Sequence, residues 1–235
     1  KRTQIFGNSY VTFHILPGLD LRTQFGFDKQ DNIIQNYDPT DLINISSPLG
    51  YAYIEDQHSF YWQEETYLNY NKEIGDHRIN GVIGLSWQER TAETNAISAR
   101  GFSDNFFRFN SIQAASQPGA PTSSYDRWSM NSYFLRGSYS YQSKYLLTFT
   151  GRIDGSSRFG ANNKYGIFPS VGLGWVLSQE RFLADIDVLD ELKLRSSYGI
   201  TGNTEIPTYQ SLSTISSETT LINGSRVSQS YINRL

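Results

Sequence analysis

The sequence contains no cysteine. It therefore carries no disulfide framework and no thiolate metal site. Only 18% of its 235 residues are charged, with a formal net charge of −3. It holds no Lys/Arg-rich run and no strongly basic half, which argues against nucleic acid as a partner. No apolar run approaches the roughly 18 residues of a membrane helix, and mean hydropathy is low at −0.47. A low average does not exclude a membrane β-barrel, whose strands alternate lipid-facing and lumen-facing residues. The chain opens at Lys1 with neither a start methionine nor an apolar signal stretch, so a mature form or part of a longer polypeptide is expected.

The signatures of covalent chemistry are missing too. There is no Gly-x-Ser-x-Gly nucleophile elbow and no phosphate-binding loop. His14, His58 and His77 are scattered, without metal-ligand spacing. Asp185 and Asp187 stand close in sequence but lack the regular ligand pattern of a calcium loop. Glu64, Glu65, Asp154, Asp190 and Glu191 offer carboxylates, yet nothing in the sequence pairs two of them across a cleft. No catalytic residue, metal or cofactor is expected, and the chain does not read as an enzyme.

What is abundant is aromatic and β-forming. Aromatics make up 14% of the residues, with 16 Tyr, 14 Phe and 4 Trp, alongside 19 Gly. The dominant hydrophobic period is two. Tyr145, Leu147, Phe149 and Ile153 alternate with Leu146, Thr148, Thr150, Arg152 and Asp154. Similar alternation runs through 10–16, 19–28, 60–72, 78–88, 133–141, 169–178 and 192–201. That makes about eight strands, near the roughly 9–11 residues a tilted membrane strand needs. Tight turns at Pro17-Gly18, Glu73–Asp76 and Gln142–Lys144 alternate with long polar stretches at 29–59, 91–127, 155–166 and from Gly202 onward. Short turns on one side and long loops on the other match the plan of an outer-membrane barrel. Within 178–190, Phe182, Leu183, Ile186 and Leu189 stand at helical spacing, which predicts a short helix. The Ser/Thr-rich stretch 211–223 reads as an exposed loop.

Three groups of side chains follow from this layout. Arg136, Arg152, Asp154, Lys193 and Arg195 share the polar phase and are expected to face a barrel lumen or its filling. Tyr139, Tyr141, Tyr145 and Trp175 flank the short-turn ends, where a membrane-interface girdle belongs; cross-strand aromatic pairing is the other reading. Phe102, Phe106, Phe107 and Phe109 sit in the long stretch 91–127, followed by Tyr125 and Trp128, and Arg158 and Phe159 sit in 155–166. Loop aromatics of this kind either stack on a sugar, a peptide or a partner protein, or fold inward to close their own loop.

One ordered run of motifs adds a family. Gly151-Arg-Ile-Asp-Gly-Ser-Ser-Arg-Phe-Gly160 is followed by Asn163-Lys-Tyr-Gly-Ile-Phe-Pro-Ser170, Gly174-Trp175 and Glu180-Arg-Phe182. Leu192-Lys-Leu-Arg195, Ser197-Tyr-Gly199 and Thr201-Gly-Asn203 come next. This run resembles the SusC/RagA-type TonB-dependent transporters of the Bacteroidota outer membrane. Weaker agreement reaches back through Tyr139–Tyr141, Lys144–Leu147, Gly81–Trp87 and Leu16–Leu19. The resemblance implies an all-β, antiparallel transmembrane barrel of 22 strands with a plug in its lumen. It implies import of oligosaccharides or peptides powered through the TonB complex, with a SusD-like surface lipoprotein as lid. On that reading residues 1–235 are a partial barrel domain, and the plug and remaining strands lie outside them. Eight strands do not enclose a plugged lumen. A small self-closed outer-membrane barrel and a soluble glycan-binding β-sandwich are the competing readings.

Overall fold

A computed structural model describes residues 1–41, 49–160, 162–183, 190–211, 214–222 and 225–233. Within them, eleven strands follow in chain order: β1 (Arg2–Leu16), β2 (Leu19–Asp38), β3 (Tyr51–Ile74), β4 (His77–Arg100), the short β5 (Gln117–Pro118), β6 (Thr122–Tyr141), β7 (Tyr145–Ser156), β8 (Tyr165–Val176), β9 (Lys193–Gly199), β10 (Thr214–Ile222) and β11 (Ser225–Asn233). The main sheet runs β1-β2-β3-β4-β6-β7-β8-β9, with β5 beside β4. Strands along this path follow chain order, with the two-residue β5 alone set off it beside β4. The path is open: among the described residues β1 and β9 are not paired with each other. It is therefore a nine-stranded sheet with two free edges, not the self-closed eight-stranded alternative.

The short turns use left-handed backbone. Gly18 has φ 83°, and a β-carbon there would collide with the carbonyl oxygen of Asn71, whose own N–H donates to Gly18 O at 2.7 Å. At the third turn two non-glycine residues, Gln142 and Ser143, take φ 51° and 55°, closed by Lys144 N–H to Tyr141 O at 3.0 Å.

The strands are longer than their hydropathy predicts. β2 and β6 have 20 residues each, and β3 and β4 have 24 each. Within the stretches read as loops, 29–38, 51–59, 91–100 and 122–127 are strand. Hydropathy marks only where one face meets an apolar medium; backbone pairing continues past that point with both faces polar. Tyr125 and Trp128 accordingly lie within β6, on opposite faces, and not in a loop. The stretch from Thr214 onward, expected as an exposed loop, is a separate two-stranded antiparallel sheet, with Thr214 opposite Asn233 and Ile222 opposite Ser225. In 178–190 the described part is a 3-10 turn at Leu177–Gln179 and a further turn through Leu183, not an α-helix. Ile186 and Leu189, and with them Asp185 and Asp187, lie outside the described residues.

Two compact units emerge. Unit 1 is Lys1–Ser9, Phe25–Gln63 and Glu89–Arg127; unit 2 is Tyr10–Gln24, Glu64–Gln88 and Trp128–Leu235. Neither unit has the interior of a soluble domain: Ala52, Ala99 and Val176 are the buried hydrophobic residues among those described. In unit 2, Tyr133, Leu135, Leu147, Phe149, Val171 and Leu173 are instead exposed, at 47%, 43%, 42%, 45%, 41% and 59%. Register puts them on one face, because Tyr133 pairs Ile153, Leu147 pairs Leu173 and Phe149 pairs Val171. A contiguous exposed apolar face of this kind needs a nonaqueous neighbour.

Candidate functional site

The opposite face of unit 2 is polar. Register aligns Ser132 with Asp154, Phe134 with Arg152, Arg136 with Thr150, and Gly174 with Arg195. Arg136, Arg152, Asp154, Lys193 and Arg195 thus all project from the side away from the exposed apolar row. Arg152 is the best anchored of them. Its Nε donates to Asp154 Oδ1 at 2.6 Å and its Nη2 to Ser132 Oγ at 2.9 Å. Asp154 is 7% exposed and Ser132 1%, so the pair is shielded at its carboxylate end. Lys193 and Arg195 line a concavity of about 300 Å³ with Leu146, Thr148, Gly172 and Gly174. Two cations at its wall suit an acidic or carbonyl-bearing group.

At the short-turn edge of unit 2 the aromatics form a continuous row. Ring centroids are 5.9 Å apart for Tyr139 and His77, 4.9 Å for His77 and Tyr141, and 6.3 Å for both Tyr141–Tyr145 and Tyr145–Trp175. His77 Nδ1 lies 2.7 Å from Tyr139 Oη. The sequence reading did not place His77 here; its position two residues after Gly75 in the facing hairpin was the available signal. Glu180 was missed as a site residue as well. Tyr145 Oη donates to its Oε1 at 2.6 Å and Trp175 Nε1 at 3.1 Å, while Lys144 Nζ lies 3.7 Å from Oε2. These donors, the Tyr145 hydroxyl first, hold the Glu180 carboxyl below its ordinary range.

The expected contact aromatics separate into two sets. Phe106 and Phe107 project, 82% and 58% exposed, packed edge to face at 4.8 Å. Phe102 instead packs against Tyr37 at 5.5 Å, and Tyr37 Oη donates to Asn105 Oδ1 at 2.8 Å. Phe109 is half-buried in the 3-10 turn Arg108–Ala114, and Phe159 is half-buried too. Tyr125 is 57% exposed. Arg158 turns inward: its side chain is 12% exposed, its guanidinium lies 4.6 Å from the Trp128 ring centre, and Nη1 donates to Thr204 O and Glu205 Oε2 at 3.2 Å each. Among the described residues no group of three or more His, Cys, Asp or Glu is placed to hold a metal ion, and no helix is long and apolar enough to cross a membrane.

An antiparallel sheet with one exposed apolar face, one hydrogen-bonded polar face and two open edges is a stretch of transmembrane β-barrel wall. Its relatives say which barrel. The chain is 35% identical to TonB-dependent receptor P3 of Formosa agariphila over 89% of its own length and 21% of that protein's. It is 32% identical to TonB-dependent receptor SusC of Bacteroides thetaiotaomicron over 83% of its length and 19% of that protein's. A solved structure of the RagAB peptide transporter superposes on the whole chain with a TM-score of 0.88 at 22% identity, covering 26% of that chain, which shows the fold. No family model matches. The chain is thus homologous, over most of its own length, to TonB-dependent receptors, SusC among them. It spans about a fifth of the length of these curated relatives.

Proposed function

We propose that this chain is the barrel-wall and outer-loop part of a TonB-dependent nutrient importer of the outer membrane. The observation that carries the proposal is the division of the sheet into an exposed apolar face and a charged, hydrogen-bonded face, in a sequence related to named TonB-dependent receptors. Residues 1–235 form part of the barrel domain. Among the described residues no strand pairs with the outer edges of β1 and β9, and lipid does not satisfy bare backbone groups, so further strands complete the wall. A plug fills the lumen, the TonB complex supplies energy, and a SusD-like surface lipoprotein serves as lid. The cargo is an oligosaccharide or a peptide. The row Tyr139–His77–Tyr141–Tyr145–Trp175 sits at the periplasmic membrane interface, where amphipathic rings are favoured. Arg136, Arg152, Asp154, Lys193 and Arg195 face the plug, and the exposed Phe106–Phe107 pair meets cargo or lid. No covalent step is involved.

The test is uptake by cells carrying Arg152→Ala or Arg195→Ala in the full-length protein, normalised to surface level. The expected result is reduced uptake with nearly normal surface amounts. Native uptake at native surface levels in both variants would remove the lumen-face assignment.

A further inference from the structure

One face of unit 1, in phase with Asp28, Gln30 and Asn32 on β2, differs in character from the polar face of unit 2. It is built mainly of carboxamides and phenols, not of cations. On β1 and β2, Arg2 Nη2 donates to Gln30 Oε1 at 2.9 Å, Gln4 Nε2 to Asp28 Oδ2 at 2.9 Å, and Gln30 Nε2 to the same oxygen at 3.1 Å. Asn32 Nδ2 donates across to Gln57 Oε1 on β3 at 2.9 Å. Along β3, Tyr53 Oη and Gln57 Nε2 both donate to Glu55, and Tyr61 Oη donates to Gln63 Oε1 at 2.7 Å. Bonds between residues two apart put Tyr53, Glu55, Gln57, Tyr61 and Gln63 in single file on one face. From Tyr53 to Gln63 that file is about 33 Å long at roughly 3.3 Å per residue. All five are half-buried, accessible on the face yet held by neighbours.

The chemistry of this surface restricts its ligand. One guanidinium, Arg2, stands against two carboxylates, Asp28 and Glu55, and Arg2 is already engaged by Gln30. Beyond β3, the same face of β4 carries the exposed Arg90 and also Arg100, which is drawn over the Tyr51 ring at 5.3 Å. A sulfated or uronate chain needs free cations in fork geometry, and among the described residues of unit 1 this face of β1–β3 offers Arg2 alone. A mixed peptide needs apolar walls for its side chains, and the file on β3 has none. Sugar hydroxyls donate and accept, and so do carboxamides and phenols. An amide has two donor hydrogens and two acceptor lone pairs, so one bound neighbour leaves it capacity for a ligand.

We propose that this face of β1–β3 is a binding track for an uncharged oligosaccharide, held by hydrogen bonds from carboxamides and phenols. The proposal rests on reading the polar face as the lumen face of an importer. The site is legible only in the fold, because 51–59 reads as loop by hydropathy.

The experiment uses the full-length outer-membrane protein, native and as the double variant Asn32→Leu/Gln57→Leu. Binding is measured by titration in detergent, and uptake is measured in cells with and without a protonophore. The probes are neutral oligosaccharide digests of starch, xylan and mannan, oligogalacturonate, and a tryptic digest of casein. The expected result is binding and energy-dependent uptake of a neutral digest, weakened tenfold or more in the double variant at equal surface level. Lys29→Gln, on the opposite face of β2, should bind within threefold of native, and its surface level checks that substitutions in these strands are tolerated. Preference for oligogalacturonate or casein peptides overturns the ligand class and leaves the importer standing. Neutral-glycan binding unaffected by the double variant overturns the track, and so does failure of every neutral digest to bind. Absence of energy-dependent uptake of every probe overturns the importer reading as well.

Discussion

Replacing Arg158 by alanine should release two outer segments at once. Arg158 lies in the connection between β7 and β8, and its guanidinium bridges the Trp128 ring on β6 to Thr204 and Glu205 beyond β9. Its backbone joins in: the N–H donates to Ser156 Oγ at 3.2 Å, and the carbonyl accepts from Ser211 Oγ at 3.3 Å. A largely covered cation over an indole contributes about 1–2 kcal/mol. The charged hydrogen bond to Thr204 O contributes roughly 1.5–3 kcal/mol. The pair with Glu205, whose side chain is 77% exposed, adds at most about 1 kcal/mol after solvent screening. Nε is buried without a partner, which lowers the net value. Local opening of the segment around Thr204 should therefore become easier by about 3 kcal/mol, or roughly a hundredfold. Hydrogen exchange reads this directly at the amides of Glu205 and Ile206, which donate to Asn203 Oδ1 and Thr204 O. Arg158→Lys keeps the charge but loses the planar fork and should fall between native and alanine. Exchange at those two amides within threefold of native in Arg158→Ala, with the sheet intact, would refute the reasoning.

Other perturbations probe other parts of the sheet. Phe149→Arg puts a cation on the apolar face and should cost about 2–4 kcal/mol near the bilayer midplane, whereas Thr148→Arg on the other face should be tolerated; folding into lipid vesicles under urea compares them. Gly84→Val should impair assembly by about 1–3 kcal/mol or more, because a β-carbon there comes within 2.6 Å of the Phe134 ring and 2.8 Å of Thr66 O; the heat-modifiable folded band on gels reports it. Glu180 has a lowered carboxyl pKa in the fold, so its contribution is present above its ordinary value near 4.5 and is lost as pH falls through the lowered one. Trp175 emission should shift in that acid window, and Glu180→Gln should abolish the shift.

The period-two pattern carried most of the membrane-facing architecture. Tyr145, Leu147, Phe149 and Ile153 fall on one face in the sequence and in the fold, since alternation is a property of extended backbone and needs no tertiary information. The same pattern separated Arg152, Asp154 and Arg195 from the apolar row, and the short turns were readable from Pro17-Gly18 and Gly75-Asp76. The motif run 151–203 pointed to the family. Strand ends were not readable. Beyond the apolar band both faces of β3 are polar, so 51–59 carries no alternation to detect, and only pairing with neighbours defines it as strand. The hairpin of β10 and β11 was hidden for the same reason.

Contacts between distant residues needed the fold. Arg158 looked like an exposed loop cation, yet Trp128 and Thr204 cover it from 30 and 46 positions away. Glu180 gains its role only because hairpin geometry brings Tyr145 to it across 35 positions. The sequence by itself determined which side chains share a face, because that follows from local backbone geometry. Tertiary structure decided how far each strand extends and which loops close on one another, because those depend on long-range pairing that no local period records.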